Sequence, residues 1–454
     1  MKPSCTAFRR AILLVLLLLG LCLPAGPSDA RKRVKAPDLP PSTTGLIDNV
    51  NGLAPGSDGA LIRFTGLLIG GDGRVERRLG PGEPRPERLA YRLDAKGRTL
   101  IPSFIDGHTR LMDTGIRLMT LDLSDTTTLA QAQAQIAAHA RANPARKWIL
   151  GSGWDAARWG MTTAPTAAQL DAAISDTPAW LESADGHTGW ANSAALRLAG
   201  IREAGALSGA AKAQMERIVP APSPKDRDIA LDKAQRFFLN HGIAMVADMG
   251  THILDWQAYR RAGDRGALRL RIIGYADGIE NMATIAGPAP SPWLYDDRLR
   301  LVGVHLPVDA TADITRLSNQ ASRAAMDGFQ LALTPDGEPA LRKATSVMRE
   351  MTESYPGDRR WRTEDGQAAV PSFMRLAQLA AREGAIGAAL AALTSRPAHA
   401  AFAEQRIGAL LPGQWADFLL IERDIATAPP ADIAATQILE HWIAGKQAWK
   451  SGEP

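Results

Sequence analysis

"TLIPSFIDGHTRL", residues 99–111, decides how this chain is read. A largely apolar run from Leu100 to Ile105 gives way to Asp106, Gly107, His108, Thr109 and Arg110. The pattern predicts a buried strand that delivers a polar cluster at its C-terminal end. In barrels of parallel strands the chemistry sits at that end, and a histidine there is a candidate metal ligand. At the next inward position, where a second histidine would help, the chain has Arg110. A guanidinium is always protonated and offers no lone pair to a cation. The stretch therefore reads either as a metal site or as what is left of one.

Outward from this point the middle of the chain repeats one alternation. Apolar strands are expected at 147–154 ("KWILGSGW"), 179–185 ("AWLESAD"), 244–250, 269–277, 299–308 and 329–335. Alanine-rich helical stretches lie between several of them, at 128–143, 227–242 and 314–328. Strands alternating with helices imply βα units and a parallel sheet, and with 99–106 they approach a (β/α)8 barrel. After 335 no stretch reads as a strong buried strand, so the barrel is expected to be incomplete at its last strands. The strand ends offer Asp106, His108 and Arg110, then Trp154 and Asp155, then Glu182, Asp185 and His187. Asp248, Asp277, His305, Asp309, Thr334, Asp336 and Glu338 follow.

The two ends of the chain differ from the middle. Residues 45–79 read as short strands bounded by Pro-Gly, Asp-Gly and Gly-Gly-Asp-Gly turns, and 412–424 and 441–450 also read as strands. One small sheet domain built from both termini is expected, from 45–96 and 406–454, around a barrel at 97–405.

The chain has 454 residues, 45% of them hydrophobic and 22% charged, which suits one large domain with a smaller one. A formal charge of +4, dispersed along the sequence, gives no argument for nucleic acid. Residues 1–30 read as a secretory signal: Lys2, Arg9 and Arg10 precede an apolar core at 11–25, and "SDA" at 28–30 suits cleavage after Ala30. That core is shorter than the about 20 residues of a membrane span. A retained anchor and lipid attachment at Cys22 are competing readings, the latter weakened by Leu21 where a small residue is needed. An exported protein with no stable span after cleavage is expected. Both cysteines, Cys5 and Cys22, lie in this segment, which removes disulfides and thiolate sites from the remainder. Residues 31–44 are basic and proline-rich and read as a linker.

Several blocks resemble the amidohydrolase superfamily, in its amidohydrolase 3 group of N-substituted formamide deformylase-like enzymes. They are "GRTLIPSFIDGHTRL", "ANPARKWILGSGWD", "PTAAQLDAAISDTPAWLESADGHTGWANSAALRLAGI", "RLRLVGVHLPVDA", "AMDGFQLAL" and "FAEQRIGALLPGQWADFLLIERD". The resemblance implies a (β/α)8 barrel, a composite β-sandwich from both termini and a divalent metal centre, zinc above all. It also implies hydrolysis of non-peptide carbon–nitrogen bonds in a small molecule. Carried over by residue, the first strand should end His-x-His; His108 matches and Arg110 replaces the second. His305 stands for a lysine, Thr334 for a histidine, and Asp365 of "RTEDGQ" for another histidine. The segment with a final metal-binding aspartate has no counterpart. Asp309 is retained and is the candidate catalytic carboxylate.

On this reading His108, His305 and Asp365 are the candidate metal ligands, and Asp185, His187 and Trp154 line the substrate mouth. The alternative is a non-catalytic family member that binds a ligand or acts as a scaffold without any metal. There His108 is a hydrogen-bonded relic, Trp154 and Trp190 are core aromatics, and Asp106 and Asp248 cap loops. Lost strands would leave open sheet edges, a liability for folding. The oligomeric state is not legible.

Overall fold

A computed structural model describes residues 42–56, 59–202, 205–364 and 370–452. The expected signal peptide, most of the linker and Asp365 fall outside these residues. The opening stretch proves to be two strands rather than one. Thr99–Pro102 belongs to an eight-stranded sheet, and Phe104–Thr109 to a six-stranded one. Fully buried Ser103 makes the change between them, donating its N–H to Asp417 O at 3.1 Å. Both flanking segments are buried, so the apolar run continues across the junction with no break in the sequence pattern.

The eight-stranded sheet joins the two ends of the chain. Its order runs Lys446–Lys450, Ile438–Ile443, Phe418–Ile421, Thr99–Pro102, Gly45–Pro55, Leu61–Ile69, Val75–Leu79, with Tyr91–Asp94 also paired to Gly45–Pro55. The hairpins expected from the Pro-Gly and Gly-Gly-Asp-Gly turns are present as antiparallel pairs. Ile47, Val50, Phe64, Leu67, Leu100, Phe418 and Leu420 form its separate apolar core. The pairing gives a single sheet.

The six-stranded sheet is parallel throughout. Its order is Arg362–Thr363, Gln330–Pro335, Leu299–Val308, Arg271–Asp277, Ile243–Thr251, Phe104–Thr109. Its strands are near-continuous apolar runs, as burial on both faces requires; every residue from Ile243 to Met249 is buried. Helices Pro224–Asn240, Ile253–Asp264 and Ile314–Met326 supply the cover. The first starts on a capping box, with Ser223 and Asp226 satisfying each other's backbone N–H groups and Pro224 in the first turn.

One expectation about this sheet is corrected. The segments at 147–154 and 179–185 are strands, but Ile149–Trp154 and Ala179–Ser183 lie in a third, five-stranded sheet with Leu121–Asp122, Gly189–Ala191 and Ala206–Leu207. The first strand pairs directly with Ile243–Thr251 instead. The third sheet holds itself together around Trp154, Trp159 and Trp190, whose ring centroids lie 5.9–6.3 Å apart. At the far end, where no strong buried strand was expected, a two-residue strand, Arg362–Thr363, follows Gln330–Pro335. Beyond it come helices, Phe373–Glu383, Ile386–Leu393 and Ser395–Ala400. Phe373 packs edge-on against Phe104 of the first strand at 5.3 Å.

The parallel and eight-stranded sheets are locked together by a buried ion pair. Arg271 Nε and Nη2 donate to the two oxygens of Asp417 at 2.7 and 3.0 Å, and both side chains are wholly excluded from solvent. Asp417 Oδ1 also accepts from Ala444 N at 2.7 Å. Arg271 Nη1 reaches the carbonyls of Asp296 and Asp297, at 3.2 and 3.3 Å. Tyr295, Asp296 and Asp297 all have left-handed backbone angles, φ 54–59°, which cost roughly 1–2 kcal/mol per non-glycine residue. The guanidinium thus holds an otherwise unfavourable turn. Burial pushes the Asp417 carboxyl up, and Arg271 more than reverses this, so it stays ionised.

Removing one partner strands the other charge in the interior. Asp417→Ala is expected to cost about 3–5 kcal/mol in urea unfolding, whereas Arg271→Met with Asp417→Leu recovers much of that loss. A single-variant loss below about 1 kcal/mol would contradict the assignment.

Candidate functional site

The C-terminal ends of the parallel strands collect Asp106, His108 and Arg110 from the first strand and its exit, Asp248, Asp277, His305, Thr334, and Arg362 with Glu364. Alternation explains the selection, since residues two apart on a strand share a face. Asp106 and His108 face one way, as do Arg362 and Glu364.

Arg362 is the hub. Its Nη2 donates to Gly107 O at 2.7 Å, its Nε to Glu364 Oε1 at 2.5 Å, and its Nη1 to Tyr275 OH at 3.2 Å. The first and last strands of the sheet are thereby tied by one side chain. Glu364 turns its other oxygen to His108 Nδ1 at 3.4 Å, a contact longer than a good hydrogen bond. Burial pushes the Glu364 carboxyl up, but His108 and Arg362 bring it below its usual range.

Asp106 is 2% exposed. Its Oδ1 accepts from His108 N at 3.0 Å, and its Oδ2 is buried without a partner. Burial lifts its pKa to about 7, against the opposing pull of His108 and Arg362. Asp248 is fully bonded: Oδ1 caps the short helix Leu111–Arg117 at Leu111 N, 2.9 Å, and Oδ2 accepts from Thr251 and Tyr259 at 2.7 and 2.9 Å. Burial lifts it to about 6. Asp106 therefore bonds a local backbone N–H, and Asp248 one that is remote in sequence.

His305 Nε2 shares a hydrogen bond of 2.9 Å with Thr334 Oγ1, and its Nδ1 is buried without a partner. Burial, then Arg110, pull its pKa down to about 4, so the ring is neutral near pH 7. Arg110 donates from Nε to Asp113 Oδ2 at 2.5 Å and from Nη1 to Met249 O at 3.3 Å. Its guanidinium lies against Gly250, where an added Cβ would come within 2.8 Å of Nη1; φ there is +146°. Glycine at 250 is what lets the arginine lie across this strand end.

A cleft of about 770 Å³ opens beside this cluster, lined by Asp106, His108, Arg110, Arg117, Glu182 and Phe237 among others. The expected mouth residues fall elsewhere. Trp154 and Asp185 line a separate 380 Å³ hollow on the third sheet. Trp154 is 4% exposed and donates to Leu181 O at 2.7 Å, as a core aromatic does. Exposed Asp185 closes a tight turn through Ser183 Oγ and His187 N, and His187 is exposed. Asp309 is also exposed, its Oδ1 accepting from Thr311 N and Oγ1 at 2.7 Å, which keeps it ionised below its usual range. Asp336 and Glu338 are exposed around the start of helix Gly337–Ser354.

Of the three candidate ligands, His108 and His305 share this strand-end cluster, and Asp365 lies outside the described residues. Among the described residues no three His, Cys, Asp or Glu side chains converge as a metal-binding group. Two guanidiniums stand among the acids instead, and neither can ligate a cation. Among the described residues the donor set does not fit a metal centre. Arg362, Glu364 and Tyr275 are the site residues the sequence reading missed. The alternation of Arg362 and Glu364 about Thr363 was the available signal, obscured by matching the next residue to a lost histidine.

A parallel sheet with polar side chains gathered at its strand ends, joined to a sheet from both termini, makes a mixed α/β fold. An uncharacterised metal-dependent hydrolase from Pyrococcus horikoshii OT3 shares it, with a TM-score of 0.69 at 17% identity over 86% of this chain and 99% of that one. The chain belongs to the amidohydrolase family, whose model matches residues 93–388 and 380–448. Protein LONG AFTER FAR-RED 3 of Arabidopsis thaliana is 25% identical over 63% of this chain and 58% of its own length. An N-substituted formamide deformylase of Arthrobacter pascens is 35% identical over 24% of this chain and 20% of its own. The chain thus spans less than two thirds of these relatives. No helix among the described residues is long and apolar enough to cross a membrane.

The two perturbed groups predict opposite pH effects. Asp106 has a raised folded pKa, so it contributes stability below pH 4 that is lost as pH rises to about 7. His305 has a lowered one, so stability falls as pH drops from 6.5 to about 4. Asp106→Asn is expected to raise the urea midpoint at pH 8 and leave it little changed at pH 4. An equal gain at both pH values would refute the buried, protonatable carboxyl.

Proposed function

We propose that this chain is an amidohydrolase-family protein that binds a small molecule in the cleft beside His108 and Arg110, without metal-activated hydrolysis. One observation carries the reading: Arg362, bonded to Glu364 and Gly107 O, stands among the strand-end carboxylates where a cation would be needed. The extended fold behind this proposal is an amidohydrolase-type barrel, lacking strands, with a sandwich-like partner built from 45–96 and 406–454. The competing reading is a zinc-dependent hydrolase of non-peptide carbon–nitrogen bonds, with His108, His305 and Asp365 at the metal, Asp309 as catalytic carboxylate, and Asp185, His187 and Trp154 at the mouth. It is favoured by the buried, unpartnered atoms Asp106 Oδ2, His108 Nδ1 and His305 Nδ1.

Metal analysis of the purified protein, thermal melts with zinc and manganese, and formate release from N-substituted formamides separate the two. The expected result is metal far below one per chain, no shift in Tm and no formate. One metal per chain, lost together with hydrolysis in His108→Ala, would establish the hydrolase.

We further infer export directed by residues 1–30. N-terminal sequencing of the protein from its native host should begin at Arg31; a start at Met1 would rule out cleavage.

A further inference from the structure

We propose that Arg362 is a resident cation: its guanidinium supplies the positive charge that a divalent ion would bring to the strand ends, and joins the sheet's two edges. The proposal rests on the metal-free reading above. Of the acids at this end of the sheet, Asp106 and Glu364 feel the charge of Arg362, and Asp248 and Asp277 that of Arg110. Buried carboxylates must take protons or be matched by cations. Arg110 is engaged at the cleft rim by Asp113. Arg362 is the cation set inside, its side chain 13% exposed beside a Glu364 that is 15% exposed.

The fork of Arg362 uses separate directions. Nε takes Glu364, Nη2 takes the Gly107 carbonyl, and Nη1 takes the Tyr275 hydroxyl. Its guanidinium carbon also lies 5.5 Å from the Tyr275 ring centroid, within the range in which a ring face attracts a cation. Tyr275 is itself anchored to Gln330 Oε1 at 2.6 Å. A continuous run, Gln330–Tyr275–Arg362–Glu364–His108, therefore crosses from the middle of the sheet to its last and first strands. A metal ion at such a place would neutralise acids and cross-link ligands from separate strands. The rigid, always charged guanidinium does both, and it requires no loading from solution.

Three variants test this. Arg362→Ala is expected to lower Tm and to gain a stabilising response to zinc chloride, as Glu364 is released beside His108 and the unpartnered Asp106 Oδ2; adding His108→Ala should abolish the response. Millimolar methylguanidinium should restore part of the lost Tm, and methylammonium less. Arg362→Lys keeps the charge and guards against a misfolded alanine variant: an intermediate Tm with no zinc response is expected. The proposal is overturned if Arg362→Ala responds to neither zinc nor methylguanidinium, or if Arg362→Lys takes up zinc. Zinc binding by the unaltered protein through His108 would instead bring down the metal-free reading itself.

Discussion

The site depends on one contact, the bond from Arg362 to the carbonyl of Gly107. The parallel sheet begins at Phe104–Thr109 and ends at Arg362–Thr363, and no strand among the described residues bridges the two. Open sheet edges expose unpaired backbone and invite association. Here the gap is managed by side chains and helices. Arg362 reaches across it at the C-terminal end, while Phe373 packs on Phe104 deeper in. An added Cβ at Gly107 would lie 3.6 Å from Pro397 Cβ, so helix Ser395–Ala400 lies directly against the first strand as well. The strand-end cluster has a fixed geometry because its two ends are clasped.

Much of this was legible, and the failures have identifiable causes. The helices expected at 128–143, 227–242 and 314–328 were found as Leu129–Ala142, Pro224–Asn240 and Ile314–Met326, because alanine-rich stretches favour helix; the cap at Ser223, which sets the second start three residues earlier, was not read. The strands at 147–154 and 179–185 were also found, in another sheet. An apolar run reports burial and not the neighbour that provides it. The tryptophans at 154, 159 and 190 gather those strands into a body of their own. Pro102 and Ser103 divide the opening stretch invisibly, since both sheets bury that segment.

The candidate site was half legible for a related reason. His108, Asp106, Arg110 and His305 were named from strand ends and do meet. Asp185, Trp154 and Asp309 were named by the same rule, yet lie in a separate hollow or an exposed turn. The rule locates strand ends; it says neither which ends share a sheet, as for Trp154 and Asp185, nor which way a side chain turns, as for Asp309, which follows Leu299–Val308 of the parallel sheet and bonds Thr311. Arg362 and Glu364 escaped because their strand is two residues long, too short to register as an apolar run.

The structure answers one electrostatic problem twice, with different outcomes. Arg271 opens the strand Arg271–Asp277, and Asp277 closes it, so the Arg271–Asp417 pair and the Arg362 cluster lie toward opposite ends of the same sheet. The first pair is sealed from solvent, with every charged oxygen bonded. It acts on stability alone. The second stands beside a cleft and leaves Asp106 Oδ2 and His305 Nδ1 unpartnered, with His108 Nδ1 3.4 Å from Glu364. Buried polar atoms without partners are costly, and a fold under selection for stability alone would bond them, as it does at Asp417. At the strand ends the guanidinium of Arg362 offsets the acid charge through Glu364, while Asp106 Oδ2 and His305 Nδ1 stay unbonded among the described residues.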